Sequence, residues 1–544
     1  MLPIATTDGS DSVSRVWAAW RWLSDPHWIT HGVWGPLHFY MIGAVMAVFT
    51  DPVLPPILLH VGFGIAAAVV MDAFTRIEFG GRRAALLAAL TFAVYPIAVR
   101  NSVAVRSEAP FVLLLLAAMR SIASARRDSG GRRHAILAGL CMTLAAMLRY
   151  EAWILIPCFA LLLWRKRSLA ILFGAVAMLH PVIWMIGNAA EFGDPLYSIT
   201  WANHWEMNLM GRSAVGLRRH LRDAVDFVIL TFRGLTPVVG LACIAGAGIA
   251  LAGRRASAPW LLPPCVLAGA MLASIARGSL VPKLNYTVNL GTLLFPFSAV
   301  FYERLRVDAL GVGRYAAVCV VVVASVLVCS LGGGFAVLPS FVGISPVPRI
   351  EKQDTALLLP AVVLANLQGE DEGLISDFYG WGTTHYVALL TRLHPERIYV
   401  APGARNQKVD LAPLTEFLGR HSGGVIVLKP RSRFAQAIGA DAAGTAAVGP
   451  LTLRLEAVQT VVVPREATDP SSAAMDAPPS PWLEIFRYSV VSGSGRSSPE
   501  AIGSRVSAPG PARERAPTAQ PGRTATPRGP RGRALDSSRG GRAG

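Results

Sequence analysis

A run of long apolar stretches, separated by short polar connections, constrains the fold of this chain more than any other feature of its sequence. Hydrophobic residues make up 53% of the chain and charged residues only 16%. Most of the stretches approach the ~20 residues that cross a bilayer as a helix. The sequence therefore predicts an all-α polytopic membrane bundle of about ten spans. The predicted spans are 54–77, 82–103, 107–126, 134–149, 152–165, 168–188, 224–252, 259–277, 284–304 and 313–335.

Basic residues in alternate connections predict the orientation of the bundle. Clusters such as Arg82-Arg83, Arg126-Arg127 and Arg165-Lys166-Arg167 mark every second connection. Cytoplasmic loops carry such an excess of positive charge. The other connections, the opening segment and everything after residue 335 are therefore predicted to lie on the exoplasmic side of a plasma (inner) membrane.

The opening segment is difficult to place on that side, because no signal-peptide pattern is present that could carry it across the membrane. Two explanations stay open: a first span missing upstream of Met1, or insertion of the first segments as a hairpin. Residues Val13–Leu23 place Trp17 and Trp20 on one side of a helix, which predicts an interfacial helix. The apolar stretch Pro36–Phe49, about 21 Å long as a helix, is too short to cross comfortably and is predicted to lie in the same interface.

The remainder of the chain divides by composition. Residues 1–53 form the predicted first loop and residues 54–335 the membrane domain. Residues 336–490 predict a small exoplasmic α/β domain, with strand-like runs at 373–378, 397–400, 424–429 and 451–463 and helical stretches among them. Residues 491–544 are rich in Pro, Gly, Ser and Arg, which predicts a disordered tail. Much of the net charge of +17 lies in that tail, so the fold is not predicted to bind nucleic acid.

Acidic residues in the outward-facing connections are the first candidates for chemistry. Asp8 and Asp11 lie in the first loop, Glu108 follows Arg106-Ser107, and Glu151 lies close to Arg149. Each has a structural alternative. Asp11 could cap the helix that follows it, and the two glutamates could form ion pairs with the neighbouring arginines.

Cationic and aromatic side chains on the same side could bind a phosphate or a sugar. The candidate phosphate-binding residues are Arg106, Arg149, Arg212, Arg218 and Lys283. The spacing around Arg218 is also typical of a solvated interfacial helix. Aromatic and imidazole groups suit the lining of a sugar or headgroup site, and are equally expected as interfacial anchors. The candidates of this kind are Trp34, His38, Trp201 and His204, together with the carboxylate of Glu151.

Three strings, in this order, resemble the GT-C class of polyprenyl-phosphate-sugar-dependent glycosyltransferases. They are GVWGPLHFYMIGAV at 32–45, YPIAVRNSVAVRSEAPF at 95–111 and LRYEAWILIP at 148–157. The chain is similar to the protein O-mannosyltransferases and the lipid A aminoarabinose transferase-like members of that class. The resemblance covers about residues 8–335. The order of the segments along the chain is stronger evidence for it than the match of any single string.

The resemblance implies an inverting transfer of a sugar from a polyprenyl-phosphate-linked donor to an acceptor at the exoplasmic face. It implies that an acidic residue of the first outer loop is the catalytic base, and Asp11 or, failing that, Asp8 matches this position. Glu108 matches a second acidic residue that orders the site or binds a divalent metal, so metal dependence stays open. The resemblance specifies neither the sugar nor the acceptor, which could be a protein, a glycan or a lipid.

Two other classes of function stay open from the sequence. A secondary transporter would show paired repeats and charges near the middle of the membrane, whereas the charges here crowd one edge of the spans. A non-catalytic membrane protein could use its outer α/β domain to bind a partner. No phosphate-binding glycine loop of the nucleotide-binding kind is present, which agrees with a donor that carries its own leaving phosphate.

Overall fold

A computed structural model gives the fold of this chain. It describes residues 10–127, 131–204, 216–253, 255–280, 282, 284–331, 359, 361–377, 383–401, 410–428, 432–439, 444–462 and 482–491. Three predicted site residues, Asp8, Arg212 and Lys283, lie outside the described residues. The side chain of Asp11 and the predicted tail beyond Val491 also lie outside them.

Helices occupy all of the stretches that the sequence predicts as spans. The first half of the bundle consists of α1 Ser10–Ser24, α2 Leu37–Phe49, α3 Leu54–Glu78, α4 Arg82–Ala93, α5 Pro96–Val103, α6 Glu108–Arg127, α7 Gly131–Ala146 and α8 Glu151–Leu162. The second half consists of α9 Arg167–Ala177, α10 Leu179–Phe192, α11 Tyr197–His204, α12 Leu217–Gly234, α13 Pro237–Ala252, α14 Leu262–Ala276, α15 Leu284–Arg304 and α16 Val312–Leu331.

The predicted count of about ten spans is not confirmed. Among the described residues, four helical segments are long and apolar enough to cross a membrane, or up to six if each of two bent helix pairs is one span. The four are 54–78, 108–127, 167–192 and 258–276. Several of the remaining apolar runs form helices that are shorter than a bilayer is thick, because the chain breaks or bends within them.

Both bends occur where a proline begins the second helix of the pair. The axes of α4 and α5 differ by 52° at Tyr95 and Pro96, and those of α12 and α13 differ by 101° at Thr236 and Pro237. Proline disfavours the helical conformation in the residue before it and lacks an amide hydrogen. The first bend directs the chain towards the connection that precedes α6, where Arg106 lies.

Close-packed aromatic rings hold the centre of the bundle. Phe74 lies 4.8 Å from Trp260 and Phe79 lies 4.9 Å from Phe297, both pairs as ring centroids in edge-to-face contact. Such pairs stabilise a core beyond the area that they bury. These contacts join the end of α3 to α15 and to the turn that precedes α14.

The opening helices form as predicted, but the apolar side of α1 does not lie in a membrane interface. Val16 and Trp17 are only 4% and 5% exposed, because α1 packs against α2 and against the C-terminal part of the chain. Two of the apolar residues that predict an interfacial helix, Val16 and Trp17, are therefore enclosed within the protein. Trp28, in contrast, is 68% exposed.

The C-terminal part forms a six-stranded mixed sheet with strand order β2-β1-β3-β6-β5-β4. The strands are β1 Gly373–Ser376, β2 Ile398–Val400, β3 Gly423–Leu428, β4 Thr445–Val448, β5 Leu451–Val462 and β6 Trp482–Val491. The helices are α17 Thr383–Thr391, α18 Ala412–Arg420 and α19 Arg433–Ala437. The predicted strand-like runs coincide with β1, β2, β3 and β5, whereas β4 and β6 were not predicted.

The parallel part of this sheet is buried on both faces. Strand β1 pairs in parallel with β2 and with β3, and all four of its residues are buried. Leu374 and Val425 belong to the apolar cluster on one face, and Ile375 and Ile426 belong to the cluster on the other. Continuous burial of this kind is expected where helices cover both sides of parallel strands.

Candidate functional site

A cavity of about 200 Å³ lies at the end of the bundle where six segments meet. These segments are α1, the stretch before α2, the start of α6 with the connection before it, the turn between α7 and α8, α11, and the start of α15. The residues that line the cavity are Ser12, Arg15, Val33, Trp34, Gly35, Arg106, Ser107, Glu108, Leu148, Arg149, Tyr150, Glu151, Ala202 and Tyr286.

Arg149 bridges two carboxylates in this cavity. Its Nη1 lies 2.8 Å from Oε1 of Glu108, and its Nη2 and Nε lie 2.7 Å and 3.1 Å from Oε1 of Glu151. The side chains of Glu108 and Arg149 are only 4% and 10% exposed. Because an unpaired charge at such a depth is strongly unfavourable, the two ion pairs fix the orientation of the guanidinium group.

Helix α15 supports this charge cluster from the side. The Asn289 amide donates a hydrogen bond of 3.1 Å to Oε1 of Glu151, and the Tyr286 ring lies 5.6 Å from the Arg149 guanidinium in a cation–π contact. Both contacts depend on α15 beginning at the level of the turn between α7 and α8. Local sequence patterns could not predict these contacts, because more than a hundred residues separate the partners.

Two further arginines give the cavity an excess of positive charge. The Arg15 guanidinium lies 5.1 Å from the centroid of the Trp34 ring, and both Arg15 and Arg106 act electrostatically on Glu108. The lining thus combines three guanidinium groups with two carboxylates. A half-buried cluster with one net positive charge favours an anionic ligand, and guanidinium groups are suited to phosphate oxygens.

The segment before α2 reaches the cavity through a close backbone contact. A Cβ atom on Gly35 would overlap the carbonyl oxygen of Met147, so only glycine lets the two backbones approach this closely. The Leu37 amide donates a hydrogen bond of 3.3 Å to that same oxygen, and the Tyr150 hydroxyl donates one of 2.6 Å to the Val33 carbonyl. These contacts hold Trp34 at the cavity wall.

Other hydrogen bonds fasten the same segment to α10 and α11. The Gly32 amide donates to Oδ1 of Asn188 at 3.0 Å, and the Ser198 hydroxyl donates to the Gly32 carbonyl. The Trp184 indole in turn donates to Ser198 at 3.0 Å. The cavity wall around Trp34 is therefore held from two sides.

Tyr150 adds a neutral donor to the lining. Burial raises the pKa of the Tyr150 hydroxyl to about 12, so the phenol stays protonated at physiological pH. The hydroxyl donates its single hydrogen to the Val33 carbonyl, so Tyr150 lines the cavity as a neutral polar group without adding negative charge.

The structure brings together five of the predicted site residues and separates others. Glu108, Arg106, Arg149, Trp34 and Glu151 all line the cavity. The remaining described candidates do not line it. These are His38, Arg218, Trp201 and His204.

Two of those four candidates have clear structural environments. His38 is fully buried in α2, where its Nε2 lies 2.9 Å from Nε2 of His60 in α3. Burial, followed by the field of His60, holds the pKa of His38 well below its ordinary value, which suits a neutral core histidine. Arg218 is exposed on α12, in agreement with the solvated-helix alternative.

Arg15 is the main cavity residue that the sequence did not suggest. It interrupts the apolar pattern of α1, and interruptions of this kind are usually read as the solvent side of a helix. One signal was present, because Asp11 precedes Arg15 by four positions and residues so spaced share one helix face. Tyr150 and Tyr286 were also missed, since each contacts the cavity only through the packing of α8 and α15.

The charged residues of the cavity do not fit a metal site. Both carboxylates, Glu108 and Glu151, are engaged by Arg149. Among the residues that the structure describes, no three His, Cys, Asp or Glu side chains are grouped closely enough to hold a metal ion. In this arrangement Glu108 and Glu151 act as partners of a guanidinium group.

Comparison with known proteins gives one family match. The family model described as dolichyl-phosphate-mannose-protein mannosyltransferase matches residues 31–186. This range includes all five of the predicted residues that line the cavity. No curated protein matches the chain by sequence.

Two solved structures share the fold of the chain. ArnT from Cupriavidus metallidurans in the apo state has a TM-score of 0.55 and 14% sequence identity, with 88% of this chain and 93% of that chain covered. The same protein bound to undecaprenyl phosphate has a TM-score of 0.56 and 13% identity, with the same coverage. At these identities the likeness shows the fold alone.

Proposed function

We propose that this chain, which has the fold of the GT-C class of membrane glycosyltransferases, transfers a sugar from a polyprenyl-phosphate donor to an acceptor. The acceptor would be a protein, a glycan or a lipid at the exoplasmic face of the plasma (inner) membrane. One observation carries the proposal: three guanidinium groups and two carboxylates meet in one cavity at the end of the bundle. Undecaprenyl phosphate, the ligand of the similar ArnT structure, has the anionic headgroup that such a cavity favours.

The cationic groups of the cavity would bind the donor phosphate. Arg106 and Arg15 contribute positive charge beyond what the two carboxylates neutralise, and Arg149 is held in place by its ion pairs. As the bond between the anomeric carbon and the phosphate oxygen breaks, negative charge grows on the departing polyprenyl phosphate. Preorganised guanidinium groups stabilise that charge without reorienting.

The acceptor hydroxyl needs a base on the opposite side of the anomeric carbon. We assign this role to Asp11, which lies in the first turn of α1 and four residues before Arg15, hence on the same helix face. The acceptor oxygen attacks the anomeric carbon, its proton passes to the carboxylate, and the polyprenyl phosphate leaves with the bonding electrons. The configuration of the sugar is inverted.

Glu108 is better suited to positioning than to accepting the proton. Its carboxylate is bound to Arg149 at 2.8 Å and lies in a field that includes Arg15 and Arg106. A carboxylate so stabilised in its charged form is a poor base. It holds the guanidinium groups in the orientation that the donor phosphate requires.

The test of this proposal is sugar transfer by the purified full-length protein in lipid nanodiscs. The substrate is a radiolabelled polyprenyl-phosphate sugar, and the readout is release of free polyprenyl phosphate. Arg106→Gln should lower kcat/KM by about 10²-fold, as expected when one group that stabilises the transition-state charge is lost. Arg218→Gln is the matched control, because it removes the same charge from an exposed position outside the cavity and should leave the rate unchanged.

Two results would contradict the assignment. Absence of transfer from every polyprenyl-phosphate sugar tried, with a folded wild-type protein, would remove the proposed activity. Equal rates for Arg106→Gln and Arg218→Gln would instead show that the reaction does not take place in this cavity.

A further inference from the structure

Helix α1 has two buried sides with different environments. One side carries Ser12 and Arg15, which line the cavity. The other carries Val13, Val16 and Trp17, which are 6%, 4% and 5% exposed. The helix is therefore enclosed between the proposed reaction site and a second set of packing partners.

Those partners belong to the C-terminal α/β unit. Trp17 is part of the buried apolar cluster on one face of the sheet, together with residues of β1, β3 and α17. Val13 and Val16 belong to a neighbouring cluster that includes Leu389 of α17. The side chain of Trp17 in α1 thus forms part of the apolar core of the α/β unit.

Further contacts join the same two regions. The Trp20 ring meets the His394 ring edge to face, with centroids 6.1 Å apart. Arg392 forms an ion pair of 3.3 Å with Asp51, in the connection between α2 and α3. This pair is mostly exposed and contributes little energy by itself, so the apolar contact of Trp17 is the main anchor.

We propose that Trp17 is a positioning residue through which the α/β unit holds the first turns of α1, with Asp11 and Arg15, at the cavity. The proposal rests on the proposed function, since it concerns the base and the phosphate-binding group of that reaction. A displacement of reacting groups by about 1 Å can cost as much as 10²-fold in rate. The α/β unit would then contribute to catalysis through its contact with α1.

The experiment compares Trp17→Ala with Trp28→Ala in the full-length protein in nanodiscs, with rates expressed per folded molecule. Trp28 is the matched control, because it lies close to α1 in sequence but is 68% exposed. Trp17→Ala should lower kcat by about tenfold or more. The KM for the lipid-phosphate donor should rise by less than kcat falls, because Arg106 and Arg149 lie on other elements and only Arg15 moves with α1. Trp17→Phe should restore most of the rate.

A merely structural role would give a different result. It would reduce the yield of folded protein but leave kcat per folded molecule within about twofold of wild type, and that outcome would overturn the proposal. Should Trp17→Ala fail to fold, Trp17→Leu and Trp17→Phe provide the same comparison, with kcat expected to fall in the order Trp, Phe, Leu.

A second readout is independent of activity. Amide hydrogen exchange in residues 12–24 should become faster in the Trp17 variants, while exchange in α3 and α6 stays unchanged. If the wild-type protein transfers no sugar, the proposed function fails and the exchange result still shows whether the α/β unit holds α1. If transfer occurs but neither kcat nor exchange responds to Trp17, only the positioning role fails.

Discussion

At the scale of the residue, Arg149 shows why a site can depend on one side chain. Its planar guanidinium bonds two carboxylates at once and lies against the Tyr286 ring. A lysine carries the same charge but cannot bond both carboxylates in this geometry. The orientation of Glu108 and Glu151 thus depends on the shape of the group at position 149 as well as on its charge.

Replacing Arg149 should therefore destabilise the protein in a graded way. Arg149→Gln removes the guanidinium group that bonds both Glu108 and Glu151 and should reduce the free energy of unfolding by about 3 kcal/mol. Arg149→Lys should lie between this variant and the wild type. Thermal unfolding of the nanodisc-embedded proteins provides the measurement. A Gln variant as stable as the wild type would show that the carboxylates are protonated or solvated instead.

The proposed base gives a second prediction at this scale. Asp11→Asn should lower kcat by about 10²-fold or more, because amides do not accept the acceptor proton. Asp8→Asn should be close to wild type, because the base is assigned to Asp11 in the first turn of α1. The reverse pattern would assign the catalytic base to Asp8. Full activity of the variant with both Asp8→Asn and Asp11→Asn would show that neither residue is the base.

At the scale of the element, the segment before α2 determines the shape of the cavity. It contains no regular structure between 25 and 35, yet side-chain and backbone hydrogen bonds fasten it to α10, α11 and the turn after α7. Its position depends on the close approach at Gly35. An irregular connection of this kind can contribute to a functional site because the helices on both sides hold it in position.

Gly35→Ala should consequently displace this segment and reduce sugar transfer by about tenfold or more. Gly174→Ala is the matched control, because nothing lies within 4 Å of an added Cβ at that helical position, and alanine there should stabilise the helix by about 0.5–1 kcal/mol. The measurement is kcat/KM alongside thermal unfolding. Normal activity of Gly35→Ala would mean that the backbone at Met147 can move aside without cost to the site.

At the scale of the whole molecule, the proposed reaction requires the cavity to lie on the exoplasmic side. The arginine-rich connections predict this orientation. The 163–166 connection, with Trp164 at 59% exposure, would then face the cytoplasm. Trp28, also exposed, would face outward with the cavity.

Cysteine labelling of intact cells can establish this sidedness. In a protein whose six native cysteines are replaced, Trp28→Cys should react with a membrane-impermeant maleimide, and Trp164→Cys should react only after the cells are lysed. Labelling of both positions in lysed cells is the control for accessibility. The opposite pattern in intact cells would place the cavity on the cytoplasmic side and remove the proposed acceptors.

The sequence by itself determined where the helices lie and which residue types could act. Apolar runs are a local property, so the helical stretches and the strands β1, β2, β3 and β5 followed from them, whereas the breaks within 82–103, 168–188 and 224–252 did not. The strand β6 was missed, because it lies after a long stretch rich in Pro, Ala and Ser. Its position in the sheet depends on pairing with β3 and β5.

Only the tertiary structure decided how these parts combine. It selected Arg106, Glu108, Arg149 and Glu151 from the candidates, added Arg15, and left His38 and Arg218 outside the cavity. It also turned the apolar side of α1 from a predicted membrane contact into a contact with the α/β unit. The physical reason is the same in each case: hydrophobicity and charge limit what a side chain can contact, whereas long-range packing determines which of those contacts forms.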